Sequence, residues 1–291
     1  MAKGRELKGR IKSVENTRKI TRTMEMVATS KMKRAQDRVV AARPYALALA
    51  DVISSLYSPE LAERFPLLRQ PAEPRRVALI VLTSNRGLAG GFNANLIKAA
   101  RVQIAEIEKA GTKVEVHVIG KKGIGYFKYV GRELASQRID VTDRPTAANA
   151  SEIVDALMAE YIAGDLDGVY VTYAKFVSAL STPPTTERIL PVTPPVAKAG
   201  EGGGQRDYLL FPSAEAILTE LLPSYVRNAV YRALVETVAG EQSARRTAMK
   251  NATDNAGDIL NVLRRTYNRA RQAQITQEIA EIVGGAAALQ G

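Results

Sequence analysis

LKGRIKSVENTRKITRTMEMVATSKMKRAQDRVVAARPYALALADVISSL, running from Leu7 to Leu56, is read most directly by stepping 4-3-4-3 along it. The steps land on Leu7, Ile11, Val14, Arg18, Thr21, Glu25, Ala28, Met32, Ala35, Val39, Ala42, Ala46, Leu49, Ile53 and Leu56, and twelve of these fifteen are apolar. An apolar stripe that recurs every 3.5 residues over many heptads is the seam of a coiled coil. Pro44 is the one proline between Lys3 and Tyr57, so a single helix is expected across that span. At 1.5 Å per residue it would be roughly 80 Å long, which an ordinary compact core does not accommodate.

A matching pattern closes the chain. Pro212 is followed by Ser213, a good N-cap residue, and then by helix-patterned sequence interrupted only by Pro223 and a few glycines. A second 4-3-4-3 ladder runs Ala252, Ala256, Ile259, Leu263, Thr266, Ala270, Ala273, Gln277 and Ala280, and its alanines permit a close helix approach. The end NRARQAQITQEIAEIVGGAAALQG, Asn268 to Gly291, stays helix-patterned and finishes apolar. Such an end, with no core of its own, is expected to be enclosed by something outside this chain. Two heptad helices at opposite ends of one chain most simply pair antiparallel. With the termini nearly flush, paired positions sum to 298, which joins Ala28 to Ala270, Val39 to Ile259 and Ala42 to Ala256, and a slip of one heptad keeps the same seam.

Between the helices the texture changes. SPELAERFPLLRQPAEPRR is a proline-rich connector, RRVALIVLT a strand-length apolar run, NRGLAGGFN a glycine turn, and NANLIKAARVQIAEIEKAG a helix stopped by Gly111. KVEVHVIG reads as a second strand, KKGIGYFKYVG and NASEIVDALMAEYIAGDLD as helices, and DGVYVTYAKFV as the next strand. TPPTTERILPVTPP has the form of an edge strand fenced by prolines, and KAGEGGGQR of a flexible loop. Alternating strands and helices imply a small α/β, Rossmann-like domain with a largely parallel sheet. The expected fold class is therefore α/β plus a long antiparallel α-helical coiled coil. The expected divisions are an N-terminal coiled-coil helix at 1–57, a connector at 58–75, the α/β domain at 76–211 and a C-terminal coiled-coil helix at 212–291.

Composition removes several classes of chemistry. The chain has no cysteine and one histidine, His117, inside a strand-like run, so thiolate metal sites, imidazole clusters and histidine triads are excluded, and neither a metal nor a cofactor is expected. The glycines of the turn, Gly87, Gly90 and Gly91, fit neither GxGxxG nor GxxxxGK[ST], and lysines follow the second strand where a dinucleotide site wants an acid, so the turn reads as structural. No acid pair or activated nucleophile accompanies it. The start MAKGRELKGR lacks the apolar core of a secretion signal, and no stretch approaches eighteen uninterrupted apolar residues.

Net charge is +11, and residues 1–44 hold thirteen Lys or Arg against four acids, so +9 of it lies on the first helix. That placement points to a localised acidic partner. Lys31, Arg34 and Arg38 share one face, and no Phe, Tyr or Trp is interleaved with the basic residues, which favours an acidic protein over nucleic acid. Two rivals make distinct demands. A nucleotide-binding enzyme needs nucleotide affinity in the isolated chain, and a DNA-binding coiled coil needs DNA affinity that falls steeply with salt.

KITRTMEMVATSKM (Lys19 to Met32), TSNRGLAGGFN (Thr83 to Asn93), AMKNATDNAGDI (Ala248 to Ile259) and YNRARQAQITQEIAEIVGGAAA (Tyr267 to Ala288) together resemble the hallmark segments of the gamma-subunit family of F-type ATP synthases, in the right order along the whole chain. The resemblance implies a non-catalytic central rotor stalk, one copy per complex, that couples ion-driven rotation of a membrane c-ring to ATP synthesis or hydrolysis at the beta subunits. Its partners would be the alpha and beta subunits, the epsilon subunit and the c-ring, with membrane association only through the complex. Carried over residue by residue, Arg271 and Gln272 match positions that hydrogen-bond a beta-subunit loop, with Thr276 and Glu278 nearby, while Met24, Lys31, Lys33 and Arg34 face an acidic beta loop. Tyr208, Leu209, Leu210 and Phe211 correspond to the foot near the c-ring, where this chain has LLF in place of a further aromatic or acid common in relatives. The absence of a cysteine-bearing regulatory insert and of a transit peptide implies a bacterial protein on the cytoplasmic side of the inner membrane.

Overall fold

The computed structural model describes residues 2–57, 63–193 and 213–290, with side chains given from residue 5 to residue 286 within those spans. Its helices are α1 (Ala2–Leu56), α2 (Phe92–Lys109), α3 (Lys121–Tyr129), α4 (Ala147–Ala163) and α5 (Ala214–Gln290). Its strands are β1 (Arg76–Leu82), β2 (Lys113–Ile119), β3 (Ser136–Arg138), β4 (Gly168–Ala174) and β5 (Pro184–Leu190), and a 3₁₀ turn spans Pro66–Leu68. The chain divides into two compact units, residues 1–28 with 245–291, and residues 29–244.

In the larger unit the five strands lie in the order β3-β2-β1-β4-β5. β1 pairs parallel with both β2 and β4, and six of its seven residues are buried, as a strand covered on both faces requires. β5 runs antiparallel at the edge, as its fencing prolines implied. β3 escapes the sequence reading because SQR is three residues without apolar alternation; it is recruited by pairing with His117 to Ile119. α4 starts where Thr146 Oγ1 accepts from Asn149 N at 3.3 Å and Asn149 Oδ1 accepts from Thr146 N at 3.1 Å, and it stops at Gly164 with φ 86. A Cβ on Gly123 would stand 2.7 Å from Thr83 Oγ1, so glycine is what lets α3 seat against the end of β1.

One apolar cluster joins Ile53 and Leu56 of α1, strand residues such as Ile80 and Val171, Leu157 and Tyr161 of α4, and Leu218 to Leu234 of α5. A second covers the other face of the sheet with Ala100 and Ile104 of α2 and Phe127 of α3. α1 contains a stretch apolar and long enough to cross a membrane by composition alone. Its residues Ala35, Val39, Ile53 and Leu56 are buried in the protein's own clusters, on one stripe of a helix whose other faces are largely exposed. α1 runs through Pro44, which sits on an exposed turn, and α5 runs through Pro223. The α1 ladder agrees with observed burial: Thr21, Ala28, Met32, Ala35, Val39, Leu49, Ile53 and Leu56 are all buried, and among its positions with described side chains Arg18 alone is exposed.

In the smaller unit α1 and α5 are antiparallel, but not in the register that flush termini imply. Thr253 Oγ1 donates to Thr21 Oγ1 at 2.8 Å in a buried contact, Gly257 lies beside Arg18, and Arg264 pairs with Glu15 at 2.5 Å. Paired numbers thus sum to about 274, not 298, and the slip exceeds three heptads. The α5 ladder also shifts: Met249, Thr253, Ala256 and Leu260 are buried, whereas Ile259 is 50% exposed. The Thr21–Thr253 hydroxyl pair puts a polar residue at a seam position that apolar counting assigns to Ala252. A seam repeats every heptad, so apolar spacing alone cannot choose among registers.

Two outcomes test this description. Thr21→Cys with Thr253→Cys should oxidise readily in a chain with no other cysteine, whereas Ala28→Cys with Ala270→Cys should not, because in the observed register those residues lie roughly 36 Å apart along α5. Closure of the second pair in gel-shift or mass analysis would restore the flush register. The second outcome concerns His117, whose Nδ1 meets Ser136 Oγ at 2.8 Å while its buried Nε2 has no hydrogen-bond partner among the described residues. Burial pushes its pKa below 6.5, against the pull of Glu115 and with a further push from Arg76. The unfolded chain then takes up the proton first, so the stability this neutral ring contributes is present above about pH 6.5 and is lost as pH falls toward the folded value. The melting temperature should drop between about pH 7.5 and 5.5, and His117→Asn should remove that slope.

Candidate functional site

The glycine turn closes on itself. Ser84 N donates to Asn93 Oδ1 at 2.9 Å, Asn85 Nδ2 donates to the carbonyls of Ile139 and Val141 at 3.0 Å, and Asn85 Oδ1 accepts from Lys121 N at 3.0 Å. These contacts tie β1 to the segment after β3 and to α3. Leu88 is held at φ 62 and is 64% exposed, and Gly90 at φ 56 completes the turn. A cleft of roughly 380 Å³ lies at the carboxyl ends of β1 and β2, lined among others by Thr83, Arg86, Asp143, Thr237 and Glu241. Among the described residues no three His, Asp or Glu side chains gather as a metal site.

Asp143, after β3, anchors α1. Its carboxylate accepts from Lys31 Nζ at 2.5 Å and its carbonyl from Arg38 Nη1 at 3.0 Å, one acid thereby holding two turns of the helix. The basic stripe inferred from Lys31, Arg34 and Arg38 is therefore partly neutralised inside the chain. Lys33 is paired with Asp37 at 3.0 Å on the exposed face, and Arg34 donates to Ser30 Oγ at 3.3 Å.

On α5 the polar contacts are deeper. Arg232 Nη2 donates to Glu187 Oε2 at 3.0 Å, and Glu236 Oε2 accepts from Phe176 N at 2.8 Å. Burial raises the Glu236 pKa, opposed by the Phe176 amide and Arg232. Burial would raise Glu187 too, but Tyr173, Arg232 and Lys175 around it outweigh that and hold it below the usual carboxylate value. The sequence reading passed over these residues, yet the acid in ALVETVAG, set in an otherwise apolar helical run, is the signal that marks a buried polar contact.

In the smaller unit Arg271, Gln272, Thr276 and Glu278 are exposed on α5, Thr276 Oγ1 donating to the Gln272 carbonyl at 3.0 Å and Gln274 Nε2 to Glu278 Oε1 at 2.9 Å. Met24 is half-buried on α1 and, in the observed register, faces α5 near residue 250, roughly 30 Å short of Arg271. These candidate residues thus form separate surfaces. Tyr208, Leu209, Leu210 and Phe211, and the glycine loop before them, lie outside the described residues. Ile275, Ile279, Ile282 and Val283 are between 47% and 72% exposed, on a part of α5 that has run past the start of α1.

The model of the family described as ATP synthase matches residues 3–289. The ATP synthase gamma chain of Gemmatimonas aurantiaca is 72% identical over 291 residues, covering 100% of both chains, and that of Janthinobacterium sp. (strain Marseille) is 41% identical over 289 residues, covering 99% of this chain and 100% of its own. Among solved structures, a chain of the Euglena gracilis mitochondrial ATP synthase (OSCP/F1/c-ring, rotational state 3) superposes with a TM-score of 0.70 at 19% identity, over 99% of this chain and 95% of that one. A chain of the Tetrahymena thermophila mitochondrial ATP synthase central stalk/c-ring does so at 0.62 and 23% identity, over 80% and 99%. At those identities the two structures speak to the fold, and they share its combination of long helices with an inserted α/β sheet. With the family model spanning almost the whole chain and full-length relatives this similar, the chain belongs to the gamma-chain family of ATP synthases.

Proposed function

We propose that the chain is the central rotor stalk of a bacterial F-type ATP synthase, coupling ion-driven rotation of a c-ring to ATP synthesis or hydrolysis at the beta subunits without performing bond chemistry itself. The observation that carries the reading is the set of exposed apolar side chains Ile275, Ile279, Ile282 and Val283 near the end of α5. An end this apolar, on a helix that has outrun its partner, is suited to a surrounding protein collar. An asymmetric helix makes different contacts with each of several chemically identical neighbours, and differential contact is what shifts their conformational equilibria.

In this reading residues 1–57 and 212–291 supply the shaft, 58–75 a connector and 76–211 the α/β body that meets the epsilon subunit and the c-ring. Arg271, Gln272, Thr276 and Glu278 face a beta-subunit loop, as do Met24, Lys33 and Arg34, while Lys31 reaches that loop only by giving up Asp143. The chain sits peripherally on the cytoplasmic face of the inner membrane, associated with it only through the complex, with one copy in each.

The purified chain should hydrolyse no ATP, and a reconstituted alpha–beta complex should turn over ATP steadily only when the chain is added. Arg271→Ala with Gln272→Ala should lower that rate without lowering the melting temperature, each lost hydrogen bond being worth roughly 1–3 kcal/mol if desolvated. ATP turnover that persists in the isolated chain through further purification would remove the rotor reading.

A further inference from the structure

Every residue of α5 from Ala233 to Ser243 is buried. A helix enclosed on all sides differs from an amphipathic one in a specific respect: it has no wet face, so the preference of apolar groups for the interior does not choose which way the helix is turned about its axis. Ala233, Leu234, Val235, Val238 and Ala239 all contribute burial, but burial is non-directional. The azimuth has to be set by contacts that have direction.

Four such contacts come from one element. The β4–β5 hairpin meets α5 through Glu187 and Arg232 at 3.0 Å, through the Phe176 amide and Glu236 at 2.8 Å, through the Ala174 amide and Thr237 Oγ1 at 3.4 Å, and through the Ala179 carbonyl and Ser243 Oγ. Between them sits Gly240, where a Cβ would stand 3.0 Å from Ala174 Cβ and 3.3 Å from Thr182 Cβ. Positions 232, 236, 240 and 243 follow one another at helical spacing and share one stripe, so the hairpin holds the helix over about three turns. Turning α5 by a single residue would leave the buried Glu236 carboxylate and the Phe176 amide without each other and drive a side chain into the Gly240 seat.

We infer that the β4–β5 hairpin is a torsional clamp that sets the azimuth of α5, with Glu236 and Thr237 as its positioning residues. The inference rests on the rotor reading, for which the clamp supplies the device that makes helix and sheet turn together. α5 is one continuous helix from Ala214 to Gln290, and the clamp acts on its stretch from Arg232 to Ser243.

The test uses the chain assembled with its alpha, beta, epsilon and membrane partners in vesicles, reading ATP hydrolysis and charge pumped per ATP with a potential-sensitive dye. Glu236→Met with Thr237→Val keeps volume and removes the directed contacts; pumping per ATP should fall at least roughly threefold while hydrolysis is largely retained. Glu236→Gln keeps an acceptor for the Phe176 amide and should pump like the parent. Gly240→Ala sets a Cβ 3.0 Å from Ala174 Cβ and, made alone, should lower pumping per ATP in the same way, while Glu236→Gln separates a lost directed contact from a general loss of stability. An unchanged pumping ratio in the weakened chain, or a loss of the same size in Glu236→Gln, would overturn the clamp. If the parental chain fails to sustain hydrolysis at all, it is the rotor reading that falls.

Discussion

The enclosure of α5 is the constraint from which the rest of this structure follows. Its buried residues, from Leu218 through Ala239, pack on α4, on the 3₁₀ turn, on one face of the sheet and on the end of α1. The insert between the two long helices must therefore fold as a sheet with one face given to α5 and the other to α2 and α3. The strand order follows: β1, at the centre and buried on both sides, pairs with β2 and β4, while the polar β3 and the proline-fenced β5 take the edges. A helix buried all round leaves its polar groups to be satisfied from within, and Glu236, Thr237 and Ser243 find partners on the nearest hairpin.

Charge follows the same logic. The first helix carries most of the excess positive charge, which invites an external acidic partner, yet the chain supplies part of the answer itself. Asp143 takes up Lys31 and Arg38, Asp155 forms a two-point contact with Arg227, and Glu187 takes up Arg232 and Lys175. At sites as exposed as Lys31 and Asp143 such a pair contributes little stability, about 0–1 kcal/mol, so its effect is to orient the helix on the insert. Lys33 and Arg34 remain on the exposed face.

Elements whose identity depends on local pattern were legible in the sequence. The α1 ladder, the apolar β1, the edge position of TPPTTERILPVTPP, the Ser213 cap, whose Oγ accepts from Ala216 N at 3.2 Å, and the end of α2 before Gly111 all follow from spacing, turn chemistry and capping, which act over a few residues. Family membership was legible for a related reason, since the hallmark segments are contiguous stretches. β3 was not legible, because three polar residues become a strand only when β2 offers them a partner.

What the sequence by itself determined is that two long heptad helices flank an α/β insert and that the last helix ends in an apolar surface. The tertiary structure alone decided which residues of those helices meet. The observed pairing differs from the flush one by more than whole heptads, so the α5 seam changes phase as well as position, and it carries interactions that occur once: the Thr21–Thr253 hydroxyl pair, the Glu15–Arg264 ion pair and the passage of Gly257 beside Arg18. The same holds for the polar residues of α5, whose partners lie some sixty residues away on the β4–β5 hairpin and come within hydrogen-bond reach only after the sheet has formed. Periodic burial is a property of local sequence, whereas register and azimuth are set by unique polar contacts between segments far apart in the chain.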